Sequence, residues 1–125
     1  ATPRSVEEIF TRLTPAVEVE AILAGCPTAL VVCGHTHVQV DRRLPGGRRV
    51  VNAGSVGRPY EGAHGAFWAL LGEDVELLRS AYDVEAAAAA AGASGHPEAE
   101  TFAAILLEPP TADEASEQFE RMRGA

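Results

Sequence analysis

Residues 28–54 constrain the fold more than any other stretch. TALVVCG at 28–34 is a continuous apolar run rich in β-branched residues, a pattern that suits a strand covered on both faces of a sheet. HVQVDRRL at 37–44 alternates apolar and polar side chains, and RRVVNAG at 48–54 turns apolar again. Pro45, Gly46 and Gly47 lie between them as turn residues, so the second and third runs are expected to form a hairpin. A chain with this block must shelter the first strand from water and return the third beside the second.

The flanking segments have simpler signals. GAFWALLG at 65–72 and VELLRSAYD at 75–83 predict a second strand pair around Glu73 and Asp74. Ser5 and Glu8 have capping-box spacing, and Thr14-Pro15 has the form of an N-cap followed by a first-turn proline. The helix after Pro15 is expected to stop near Gly25, with Pro27 just beyond. Asp83 can cap VEAAAAAA, which stops at Gly92 or Gly95. Pro97 opens PEAETFAAILLE, and Thr111 with Glu114 forms a second capping box for ADEASEQFERMR. The alanine run is a plain helix, since alanine is the best helix former. The expected organisation is one α/β domain: 1–27 helical, 28–83 strands carrying the functional block, and 84–125 C-terminal helices.

Length and charge exclude some functions. A chain of 125 residues is one domain or part of one. A net charge of −8 and a pI of 4.9 repel phosphate backbones and anionic membranes. No nucleic-acid backbone binding and no membrane association are therefore expected. Cys26 and Cys33 are too few for a disulfide framework; Cys33 is expected to be a buried thiol and the cytoplasm the compartment. The opening ATPRS, without methionine, is expected to reflect processing or a fragment of something longer.

The residues that can carry chemistry cluster in two places. In GHTH, His35 and His37 lie two positions apart at the end of the apolar strand, where α/β folds usually carry their sites. In extended backbone both side chains would share a face. Gly34 would let the chain turn sharply, and imidazole suits zinc, manganese, iron and nickel. The plainer alternative is a pair of surface histidines flanking Thr36. Two histidines do not complete a catalytic site, because one catalytic zinc takes about three protein ligands and a two-metal site needs more.

The second place is NAGSVGRPYEG at 52–62. A glycine-rich loop after a strand offers backbone amides to an anion. Asn52 and Ser55 could add hydrogen bonds and Arg58 a charge; the alternative is a loop that simply uses glycine to turn. AGSVG comes within one residue of a nucleophile elbow, but Ala53 replaces the first glycine and no partner base is evident, so a serine hydrolase is discounted. His64 is a weaker substrate-contact candidate. His96 reads as a helix-start residue, and Asp41, Arg42 and Arg43 read as the solvated face of the hairpin.

Taken together, CGHTHVQVDRRLPGGRRVVNAGSVGRPYEG closely resembles the last motif block of the calcineurin-like metallophosphoesterases, in particular their small bacterial and archaeal phosphodiesterase branch. The similarity continues through GAFWALL and VELLRSAYDVE. The resemblance implies that His35 ligates one metal of a dinuclear centre and His37 the other. It implies that Asn52, Gly54 and Ser55 support the site without ligating. It implies a β-sandwich flanked by helices, in α/β/β/α layers, of which this chain is the C-terminal half. The implied reaction is hydrolysis of a phosphate mono- or diester by a metal-activated water attacking in line, with two divalent ions drawn from manganese, nickel, iron, zinc or magnesium.

The chain also departs from that family. The earlier motifs, Asp-x-His, Gly-Asp, Gly-Asn-His-Asp and a further histidine, are not found in it. In relatives, segments like ATPRS follow that further histidine. The expectation is a chain that lacks most metal ligands and the general acid, has no catalytic residue of its own and is inactive alone. It would pair with the remaining half of the domain or self-associate. Two other functions stay open. One is a different H-x-H metallohydrolase such as an amidohydrolase, which the hairpin and NAGSVG argue against. The other is a degenerate half-domain serving as a binding or assembly module.

Overall fold

The computed structural model describes residues 1–124. The C-terminal Ala125, included in the expected helical span, lies outside the described residues. The elements run α1 (Ala16–Ile22), β1 (Leu30–Cys33), β2 (Gln39–Arg43), β3 (Arg49–Ala53), β4 (Ala66–Leu71), β5 (Val75–Ser80), α2 (Val84–Gly92), α3 (Ala99–Leu107) and α4 (Ala112–Arg123). Among the described residues this is an α/β protein with two small sheets and four helices.

The first sheet has the order β1-β3-β2. β2 and β3 form the expected antiparallel hairpin, with Val40 opposite Asn52 and Arg42 opposite Val50. β3 also pairs parallel to β1, with Val31 beside Val50 and Cys33 beside Asn52. α1 packs its apolar stripe on this sheet: Val19, Ile22 and Leu23 meet Val31, Leu44, Val50 and Phe10 in one buried cluster. Each such side chain contributes about 1.5–3 kcal/mol when fully buried. The Arg48 guanidinium donates to the carbonyls of Leu23 (2.9 Å), Cys26 (2.8 Å) and Thr28 (3.2 Å), closing the connection from α1 to β1. Cys33 is half-buried and donates to the Val51 carbonyl, and burial pushes its thiol pKa up.

β4 and β5 form the second sheet, an antiparallel pair. Gln39 joins the two sheets: its amide nitrogen lies within hydrogen-bond distance of the carbonyls of Ala53, Trp68 and Leu78. Arg49 makes a bidentate pair with Asp41 (2.8 and 2.7 Å) and also reaches Asp74 in the β4–β5 turn. On the hairpin face Asp41 and Arg43 are exposed and Arg42 is half-buried. Asp41 is engaged by Arg49, Arg42 donates to the Thr14 carbonyl at 2.6 Å, and Arg43 has no such partner among the described residues.

The N-terminal expectation needs correction. Residues 1–15 form turns rather than a helix, and α1 ends at Ile22, short of Gly25. The reason is competition from local side chains. The Ser5 hydroxyl accepts from Glu7, one residue too early for a cap at N3. The Thr2 hydroxyl accepts from the amides of Arg4 and Ser5, while the Glu8 carboxylate is taken by Thr2 and Arg4. Thr14 does not cap α1 either, because its hydroxyl accepts from the Thr11 amide and donates to Glu120.

The C-terminal helices follow their signals more closely. Asp83 accepts from the Ala86 amide, and Thr111 with Glu114 forms the full capping box. α3 starts at Ala99, two residues later than Pro97, with the His96 ring accepting from the Glu98 amide at 3.0 Å. No helix among the described residues is long and apolar enough to cross a membrane.

Candidate functional site

Because β1 and β3 run parallel, their C-terminal ends coincide. The GHTH loop leaves β1 and the NAGSVG loop leaves β3 at the same edge of the sheet, the usual location of ligand sites in such sheets. Asn52, the register partner of Cys33, ties the two loops together. Its amide nitrogen donates to the Gly34 carbonyl (3.1 Å) and the Thr36 hydroxyl (3.0 Å), and its carbonyl oxygen accepts from the Gly54 amide (3.0 Å). Asn52 is 4% exposed and Thr36 2%, so these bonds are made away from water. In such surroundings an unmade bond would be costly.

The backbone here is not extended, which corrects the expected geometry of the histidine pair. His35 and His37 both have left-handed φ, 84° and 57°. Side chains of this size adopt that region uncommonly, and it clusters at functional sites where the surroundings enforce it. The enforcement is visible: Asn52 holds Gly34 and Thr36, and the Tyr60 amide donates to the His37 carbonyl at 3.1 Å. A sharp turn around buried Thr36 therefore carries the two imidazoles, rather than strand pleating. Gly54 is also left-handed, at φ 83°. A Cβ there would sit 2.8 Å from the Gln39 Cγ and 3.0 Å from the Phe67 Cβ, so the loop needs glycine at this point.

The two histidines differ. His35 is exposed. His37 is half-buried, and its Nδ1 lies 2.9 Å from the Arg58 carbonyl. A carbonyl can only accept, so Nδ1 carries the proton and Nε2 keeps a free lone pair. Burial lowers the His37 pKa, with Arg58 and His35 pushing the same way against the Arg58 carbonyl, which favours the charged form. The ring is thus held in the neutral tautomer that a metal ligand requires.

The remaining candidates divide. The Ser55 hydroxyl accepts from the Arg58 amide at 3.0 Å, and its carbonyl accepts from Phe67, so it shapes the loop. Arg58 stands beside the histidines through its backbone, while its guanidinium lies against rings, 5.0 Å from the Phe102 centroid and 5.9 Å from that of Tyr60. His64 turns elsewhere: its Nε2 lies 2.7 Å from the Leu107 carbonyl at the end of α3.

Aromatic residues that the sequence reading did not single out surround the pair. The Tyr60 ring lies 5.0 Å from His37, the Phe119 ring 6.3 Å from His35, and Tyr60 and Phe119 are 6.3 Å apart. Phe119 comes from α4, which is anchored by polar ties. Glu120 accepts from Thr11 (2.7 Å) and Thr14, and Arg123 pairs with Glu18 and Glu120 (both 2.6 Å). One signal in the sequence could have pointed to Phe119: it is the single aromatic residue in the mostly polar helix ADEASEQFERMR.

Among the described residues no group of three or more His, Cys, Asp or Glu side chains is placed to hold a metal ion. The donor set at this edge is two imidazoles, one of them tautomerically prepared.

No family model matches the chain, and no curated protein matches it. Among solved structures, that of a hypothetical protein from Pyrococcus horikoshii OT3 is similar, with a TM-score of 0.71 and 22% identity over 89% of this chain. The chain spans 45% of that protein's length. At this identity the likeness is one of fold.

Proposed function

We propose that this chain contributes the Gly-His-Thr-His part of a dinuclear metallophosphoesterase centre that hydrolyses a phosphate mono- or diester. The observation that carries the reading is His37. Its Nδ1 is fixed on the Arg58 carbonyl, leaving Nε2 as a neutral donor beside His35, at the end of two parallel strands. Burying a histidine and fixing its tautomer on a carbonyl is how metal-ligating imidazoles are oriented.

In this proposal His35 and His37 each hold one divalent ion. When bound, the ion pair supplies Lewis-acid polarisation of a phosphoryl oxygen and an activated water. Asn52 keeps the two loops in register, Gly54 lets the second loop pass close to Gln39 and Phe67, and Ser55 shapes the turn that presents the Arg58 carbonyl. Oxygen ligands from outside these 125 residues complete the centre. The chain's 45% coverage of the Pyrococcus fold and its two-imidazole donor set support that division. The finer architecture, half of an α/β/β/α sandwich, belongs to the same proposal.

The test is metal analysis with a diester hydrolysis assay, on this chain alone and joined to the polypeptide carrying the further ligands. The chain alone should hold little stoichiometric metal and turn over nothing measurable, whereas the joined protein should bind metal stoichiometrically and hydrolyse the diester. His37→Ala in the joined protein should lower metal content and turnover together. Unchanged metal content in that variant would remove His37 from the ligand set.

A further inference from the structure

Next to the histidine pair lies a cleft of about 250 Å³ lined by Arg58, Tyr60, Ile105, Pro110, Gln118 and Phe119. It is smaller than a typical whole-ligand site of about 300 Å³ or more, which suits one group of a substrate rather than all of it. Its walls are two aromatic rings, two aliphatic side chains, one carboxamide and one guanidinium. That is a surface for a flat apolar group with an anion at one end.

The guanidinium is unusual in this chain. Its Nε is buried without a hydrogen-bond partner, which is true of no other arginine among the described residues, and like Arg42, Arg43 and Arg79 it makes no ion pair among them. In a protein of net charge −8, a cation with no carboxylate partner, on the Tyr60 ring that itself lies against His37, marks a place where a negative charge is welcome. The rings of Phe102 and Tyr60 hold it there by cation–π contact. Tyr60 and Phe119 in turn lie against His37 and His35. A ring seated on Tyr60 and Phe119 therefore has its phosphate within reach of Arg58 and the imidazoles.

We infer that this cleft is a subsite for the planar aromatic group of a phosphate ester, with Arg58 holding an anionic oxygen of that ester. The inference rests on the phosphoesterase reading, since it names the class of organic group that the same centre would accept. Aromatic side chains bind planar rings by stacking with little dependence on ring identity. Gln118, exposed at the rim, can both donate to and accept from a ring edge.

The probes are adenosine 5′-monophosphate, ribose 5-phosphate and adenosine, titrated calorimetrically into the metal-free 125-residue chain. Adenosine 5′-monophosphate should bind about tenfold more tightly than ribose 5-phosphate, the scale expected for one ring on aromatic side chains. Phe119→Ala should abolish that preference. Phe119→Leu, which keeps the apolar bulk, should abolish it as well while retaining the circular dichroism of the parent. Arg58→Gln should bring the nucleotide down to the level of adenosine. Equal binding of the two phosphates, or no binding of either to the folded chain, overturns the inference. Ring preference in a protein that never takes up metal leaves the cleft standing and removes the phosphoesterase reading. Metal-dependent hydrolysis without ring preference does the reverse.

Discussion

The turn at 34–37 and the helix α4 meet at the same place but are held there differently. The turn is secured by neighbours on one sheet: Asn52 lies 18 and 16 positions from the two groups it binds, Gly34 and Thr36. α4 is secured by Glu120 reaching Thr11 and Thr14, 109 and 106 positions away. The turn's bonds are between neutral groups, while the helix's ties are charge-assisted, through the carboxylates of Glu120 and Glu18 and the guanidinium of Arg123. A site of this kind has a stiff wall made by strand register and an adjustable wall made by side-chain ties. The imidazoles sit on the first, and Phe119 sits on the second.

The largest effect should come from breaking the stiff wall. Asn52→Ala leaves the Gly34 carbonyl and the Thr36 hydroxyl without their buried partner, and should cost about 3 kcal/mol of stability by urea denaturation. Asn52→Asp keeps the acceptor for the Gly54 amide but loses both donations, so it should rescue little. If Asn52→Ala unfolds at the wild-type midpoint, the turn is not held by these bonds.

A smaller effect should come from the adjustable wall. Glu120→Ala removes the acceptor for Thr11 and Thr14 and should cost about 1–2 kcal/mol. Its ring resonances for Phe119 should move in NMR spectra while the backbone signals of residues 34–37 stay in place. Equal perturbation of both regions would mean that the two walls are one mechanical unit.

The smallest effect should appear with pH. The folded-state pKa of His37 lies below the ordinary histidine value of about 6.5, because burial disfavours the charged form. Between the folded and unfolded values the unfolded chain binds more protons, so this contribution to stability rises with pH. It is fully present above about 6.5 and is lost as pH falls through the folded value. The denaturation midpoint should therefore drop between pH 7 and 5, and His37→Gln should flatten that part of the profile. A profile of identical shape in the variant would assign the slope to other groups.

What could be read in advance tracks how local the controlling interaction is. The β2–β3 hairpin follows from Pro45-Gly46-Gly47 and the alternation before it, and the α4 start follows from Thr111 and Glu114, because both depend on residues a few positions apart. The same capping logic failed at Ser5 and Thr14. There Thr2, Arg4 and Glu8 offered the backbone other partners, and Glu120, from the far end of the chain, claimed the Thr14 hydroxyl. Of the candidate residues, His35, His37, Asn52, Gly54, Ser55 and Arg58 were visible as two motifs. Tyr60 lay inside the second motif without being singled out, and Phe102, Gln118 and Phe119 lay in no motif, since a ring or carboxamide in a loop or helix looks the same whether it packs a core or faces a site.

The amino-acid sequence by itself determined where strands and turns could form, that two histidines would stand just beyond an apolar strand, and that a glycine-bearing loop would close a second one. It did so through short-range physics: β-branched runs, turn residues and alternation. The tertiary structure decided the rest. Parallel pairing of β1 with β3 placed both loops at one edge, a choice that depends on how strands distant in sequence share hydrogen bonds. Left-handed backbone at His35 and His37 replaced the extended geometry, because Asn52 and Tyr60 hold the turn more firmly than residue preference resists it. The aromatic wall was assembled from Tyr60 in the loop after β3 and Phe119 on α4, whose position is set by ion pairs and hydroxyl–carboxylate bonds spanning nearly the whole chain.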